Sequence, residues 1–184
     1  MNPIQVLMDE HRVIEQAIGA LGAYADAVVA GADHPREDLA ELVAFIRGFA
    51  DRHHHGKEED ILFRVMAEEG MPTHAGPLAV MLFEHEQGRQ LTAALGELAE
   101  SDGAWTGTQR DELDQIAYGY AQLLLAHIQK EDNILYPIAD QRLGKEAWNH
   151  IDAAFEAFES EPDNIAAAAR FRESARNLAE RYHN

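Results

Sequence analysis

The sequence predicts an all-α fold: an up-down-up-down four-helix bundle followed by a C-terminal helical extension. Three observations point there. Apolar residues recur every three to four positions, and no segment alternates like a strand. Stretches rich in Gly and Pro cut the chain into long segments. A pattern of histidine and glutamate occurs twice, once in each half of the predicted bundle.

The first helix is expected over 3–30, opened by Pro3 and closed before Gly31-Ala-Asp-His-Pro35. The second is expected over 35–69, where Leu39, Leu42, Val43, Ile46, Phe49, Ile61, Leu62 and Val65 follow helical spacing. Gly70-Met-Pro72 ends it, and Pro77 opens a third helix over 77–100. Pro3, Pro35 and Pro77 each sit at a helix start, where the missing N–H is harmless. The fourth helix is expected over 108–142, capped by Thr108 and carrying Tyr120, Leu124, Leu135 and Ile138 on its apolar side. Pro137 should kink or end it. The tail reads as two shorter helices broken near Ser160-Glu-Pro162. The domain division is therefore a bundle over 1–143 and an extension over 144–184, packed on or beside it.

Composition excludes several classes of function. With 184 residues, 46% apolar and 26% charged, the chain suits one globular core. A formal net charge of −18 repels phosphate backbones, so no nucleic-acid partner is expected. No apolar run is long enough for a bilayer, and the first residues lack the pattern of a secretory signal. The expected compartment is the cytoplasm. The absence of cysteine excludes disulfides, thiolate zinc sites and cysteine-held iron–sulfur clusters.

The chemistry lies in the duplication. His54-His-Gly-Lys-Glu58-Glu-Asp-Ile-Leu-Phe63 matches His127-Ile-Gln-Lys-Glu131-Asp-Asn-Ile-Leu-Tyr136, and upstream Glu10-His11 matches Glu84-His85. The separations agree as well, 43 residues from His11 to His54 and 42 from His85 to His127. Residues i and i+4 share a helix face, so His54 projects with Glu58 and His127 with Glu131. Both pairs fall on core-facing stripes, where a carboxylate is costly unless a cation pairs it. With alternating helix directions, His11, His54, Glu58, His85, His127 and Glu131 fall at one height in the bundle. They are the candidate metal ligands. Imidazole with carboxylate suits iron, manganese or zinc. Four His and two Glu are generous for one ion and fit two, if both carboxylates bridge. His53 and His55 each lie about 100° from His54 on an α-helix, so flanking roles are expected. His34, His74, His150 and His183 fall in loops or the tail and are expected to be exposed. Glu15, one turn from His11, is expected to be a flanking or surface charge. Tyr24, Tyr118 and Tyr120 are expected to serve core packing. Ferritin-type Glu-x-x-His and the zinc-protease signature are both absent around the ligand histidines.

At these residues the sequence resembles the hemerythrin family in its bacterial HHE-domain branch, over about 5–140. The resemblance implies a four-helix bundle holding two Fe ions as an oxo- or hydroxo-bridged di-iron centre, and reactions with peroxide, O2 or nitric oxide. Two departures from the oxygen carriers stand out. Carriers have His-x-x-x-His on the third helix, where this chain has Met81 upstream of His85. They also place Asp five residues after the fourth-helix His, a spacing that Asp132 satisfies here beside Glu131. The internal repeat favours Glu131. With one His fewer, redox reactivity is expected ahead of reversible O2 carriage.

The expected function is a non-haem di-iron protein reacting with peroxide, O2 or nitric oxide in stress defence or iron handling. Whether it turns over peroxide in a catalase-like or other oxidoreductase reaction is left open. The alternatives are a non-catalytic O2 or nitric oxide binding or sensing protein and a structural zinc bundle. Partners are a small diatomic or peroxide ligand, with a homodimer or an unknown redox partner left open.

Overall fold

In a computed structural model describing residues 2–182, every regular element is helical and no strand occurs among the described residues. Among the described residues six helical rods follow one another. α1 is Pro3–Val29, with the Asn2 side chain accepting from the Gln5 amide at its start. α2 spans 36–68 as one continuous rod of mixed pitch. It is α-helical over Arg36–Phe45, π-helical over Ile46–His55 and again over Glu58–Phe63, and α-helical over Arg64–Glu68. α3 is Gly76–Ala99. α4 spans 107–142, with a π-helical segment at Glu131–Leu135 between Gly107–Lys130 and Tyr136–Arg142. α5 is Lys145–Ser160 and α6 is Pro162–Arg181.

One local feature differs from the sequence expectation. The cap of α4 is Thr106 rather than Thr108, in a capping box with Gln109. Pro137 lies within α4, which ends at Arg142 as expected. The π-helical turn at Glu131–Leu135 comes immediately before this proline, so regular i→i−4 bonding is already interrupted where the missing N–H would fall. Gly31 and Gly70 adopt φ of 102° and 92°, a region open to glycine, just after α1 and α2.

α1 to α4 form the bundle, and a buried polar layer divides its core in two. On one side lie residues such as Leu21, Leu42, Phe49, Leu95 and Leu124. On the other lie Leu7, Leu62, Met66, Leu78 and Leu135. The two tail helices complete these clusters. Ile151 and Phe155 of α5 join the second, while Ala168, Ala175 and Leu178 of α6 join the first. Gly48 on α2 lets the Phe171 ring of α6 approach so closely that a Cβ there would overlap it. No helix is long and apolar enough to cross a membrane among the described residues.

Candidate metal centre

The polar layer contains all six predicted residues. His11, His54, Glu58, His85, His127 and Glu131 are each no more than 1% exposed. Burial this complete is rare for ionisable side chains unless they are paired. The layer resolves into two overlapping groups, each with donor atoms converging within one ion's reach. One is His11, His54, Glu58 and Glu131; the other is His55, Glu58, His85 and His127.

Both carboxylates stand between the halves. Glu131 Oε2 is 3.2 Å from His11 Nε2, and its Oε1 is 3.1 Å from His127 Nε2. Glu58 Oε2 is 3.6 Å from His54 Nε2 and 3.5 Å from His85 Nε2. Each carboxylate therefore meets one imidazole from each repeat. The other Glu58 oxygen accepts a 2.7 Å hydrogen bond from the Tyr136 hydroxyl.

His55 is the residue that helical-wheel reasoning misses. At α-helical pitch it should point about 100° away from His54. The segment Ile46–His55 is π-helical instead, and its wider i→i+5 turn changes where neighbouring side chains project. His55 thus joins the layer, with its ring stacked on His85 at a centroid distance of 3.8 Å. The imidazole count becomes five, so the deficit inferred from Met81 is made up from α2. Met81 itself is buried in the second apolar cluster.

A ring of carboxylates surrounds the imidazoles. His11 Nδ1 donates to Asp132 at 2.7 Å, His54 Nδ1 to Glu10 at 3.0 Å, His85 Nδ1 to Glu59 at 2.6 Å and His127 Nδ1 to Glu84 at 2.9 Å. Asp51 lies 3.4 Å from His55 Nδ1, which makes no well-formed hydrogen bond. Cations hold the ring in turn: Arg12 on Asp132, Lys57 on Glu10, Arg89 on Glu59 and Asp51, Lys130 on Glu84. These outer carboxylates anchor the Nδ1–H tautomer and leave each Nε2 lone pair facing inward. Asp132 serves this outer role while Glu131 occupies the interior. The duplication carried the signal for this ring, because Glu10 and Glu84, Lys57 and Lys130, and Glu59 and Asp132 are equivalent positions.

His53 lies outside the centre, 3.1 Å from Glu10. Glu15 pairs with Arg12 at 3.0 Å and does not enter the layer. Tyr24 and Tyr120 are buried in the first cluster as expected. Tyr118, expected in the core, is exposed instead, because it lies two residues from Tyr120 and so about 200° round the helix. Tyr136 is the tyrosine that reaches the centre, its ring stacked on His11. His74 and His150 are exposed as expected, whereas His34 is half-buried, packed against Tyr24 and Tyr182. His183 lies outside the described residues.

The interior fits cations. Glu58 Oε2 and both Glu131 oxygens are buried without a hydrogen-bond donor. His85 Nε2 and His127 Nε2 face each other at 3.0 Å. Against the effect of burial, Glu131 and Glu84 raise His127 to about 9, so a proton relieves that contact, and a shared cation would take the proton's place. Burial drives His54, His55 and His85 down to about 3, keeping them neutral and ready to coordinate. Burial and the charge of Glu131 push the Glu58 carboxyl well above its ordinary range. Burial works on Glu131 in the same direction, but His127 and His11 outweigh it and hold that carboxyl low. A third group, Glu10, His53 and Glu159, has comparable convergence. The Lys57 ammonium already fills it, bonded to both carboxylates.

A family model described as the hemerythrin HHE cation binding domain matches residues 2–139. Uncharacterized proteins of Mycobacterium bovis and Mycobacterium tuberculosis are 26% identical over 131 residues, 71% of this chain and 51% of theirs. The chain thus spans about half the length of these curated relatives. No solved structure matches it significantly.

Proposed function

The chain belongs to the hemerythrin HHE cation-binding domain family, and on that premise we propose that it is a non-haem di-iron protein reacting with peroxide, O2 or nitric oxide. In this reading His11 and His54 hold one ion, and His55, His85 and His127 hold the other. Glu58 and Glu131, each beside imidazoles of both sides, would be shared between them. The observation that carries the reading is the set of three donor-free carboxylate oxygens buried among five imidazoles. A pair of irons there would supply redox-active coordination positions for a small oxidant. The protein's own groups do the rest. Four outer carboxylates orient the rings and Tyr136 fixes one Glu58 oxygen, with an apolar cluster on either side of the layer.

A structural zinc bundle is the second reading, favoured by the four donors of each group, the number that a closed tetrahedral zinc site takes. Two measurements on iron-loaded protein test the proposal. We expect an optical spectrum with oxo-bridge charge-transfer bands, and oxygen evolution from hydrogen peroxide above the rate of free iron. Zinc as the native metal, or bands and turnover indistinguishable from free iron, would refute it.

A further inference from the structure

We propose that the cavity beside His55, His85 and His127 binds a linear aliphatic carboxylate of medium chain length, its anionic end on Arg47 and its tail toward the metal centre. This deepens the di-iron reading, on which its inner boundary rests. The cavity has a volume of about 280 Å³ and runs between α2, α3 and α4. That space far exceeds a diatomic molecule, for a water occupies about 30 Å³ in the liquid. It falls just below the usual range for small-molecule pockets.

Its direction follows from helix geometry. On α3 the lining runs from His85 through Gly88 and Thr92 to Ala93, about 12 Å at 1.5 Å per residue. On α2 it runs from His55 through Asp51 to Arg47, and on α4 from His127 through Leu124 to Tyr120. All three elements lead away from the imidazoles in step, so the cavity is a slot with the buried histidines at one end and the exposed Arg47 at the other. Gly88 keeps the slot open. A Cβ there would meet only Tyr120, at 3.9 Å, so the absence of a side chain is not forced by crowding. A glycine inside a helix is destabilising relative to alanine, and space for a ligand is a reason to retain it.

Charge selects the class of ligand. The protein carries −18 overall, which disfavours anions in general. Within the slot, however, Asp51 is bonded by Arg89 and Glu84 by Lys130. Arg47 has no acidic partner among the described residues. An apolar chain along Ile46 and Leu124 with a carboxylate on that guanidinium satisfies both surfaces, and guanidinium–carboxylate pairs form strong charge-assisted hydrogen bonds.

Calorimetric titration of iron-loaded protein with octanoate, octanol and octylamine tests the assignment, with iron content measured in parallel. Octanoate should bind once per chain, about ten-fold more tightly than octanol, with no binding of octylamine. Arg47→Gln, at an exposed position, should weaken octanoate about ten-fold, a loss equivalent to about 1.4 kcal/mol. Gly88→Leu should abolish binding while keeping the iron. Octanoate that fails to bind iron-replete protein, binds no better than octylamine, or binds both variants as it does the parent would overturn the proposal and leave the di-iron reading standing. Failure to load iron would count against the di-iron reading, while the octanoate titration of the same sample still reads the slot.

Discussion

Glu131 and Asp132 show how much one residue's position decides. The two are adjacent, yet Glu131 faces the interior and Asp132 anchors the back of His11 with Arg12. On the proposed di-iron reading, Glu131→Ala should therefore abolish the bridged centre. Asp132→Ala should leave both ions bound but weaken metal affinity about 10–100-fold, the usual effect of losing an outer partner of a ligand. Competition with a chelating dye separates the two outcomes, and equal losses would remove the distinction. His55→Ala should cost roughly half of the bound iron, because the ion on the side of His85 and His127 loses one imidazole while His11 and His54 keep theirs. Full loading of that variant would exclude His55 as a ligand. Six members of the layer were legible from the repeat, because spacing of four survives both α-helical and loosely wound turns. His55 was not, because its place depends on a π-helical segment that the residue types do not announce. Glu10, Glu59, Glu84 and Asp132 were readable in principle, since each recurs at its equivalent position, but only pairing across helices reveals what they touch.

The repeated elements are not equivalent, and α5 is the reason. Lys57 and Lys130 hold matching positions on α2 and α4. Lys130 remains 35% exposed, whereas Lys57 is fully buried between Glu10 and Glu159. Glu159 comes from α5, whose Phe155 and Phe158 also flank the ammonium, at 5.7 Å and 5.6 Å. Removing one member of a buried ion cluster strands the other charge, so Lys57→Met should cost about 3–5 kcal/mol. Lys130→Met should cost about 0–1 kcal/mol, as for an exposed pair. Urea unfolding at matched iron loading measures both, and similar losses would mean that α5 does not seal the Lys57 side. Gly48→Ala tests the neighbouring contact, because a methyl group there must displace Phe171 of α6. Overpacking of this kind costs about 1–3 kcal/mol, and an unchanged urea midpoint would show that the ring gives way freely. The helical character of α5 and α6 was legible from their apolar spacing. Their contact with Lys57 and Gly48 was not, because nothing local in the sequence specifies which face of the bundle a tail covers. We propose that 144–184 is a covering extension of the bundle, not a separate unit.

At the scale of the molecule, the polar layer interrupts the core, and a cation bound there would offset that interruption. Binding only to the folded chain stabilises it by about 4 kcal/mol when ligand exceeds its dissociation constant 1,000-fold. For a chain of this size each kcal/mol corresponds to roughly 2–4 °C, so removing the metal should lower Tm by roughly 8–16 °C. An apoprotein with unchanged Tm would show that the layer is self-sufficient. The most direct test of the central claim is an anaerobic titration of the apoprotein with ferrous iron, followed by absorbance after oxidation. The dinuclear account predicts a break at two ions per chain, falling to about one in His55→Ala. A break at a single ion in the parent protein, with no bridged spectrum, would contradict it.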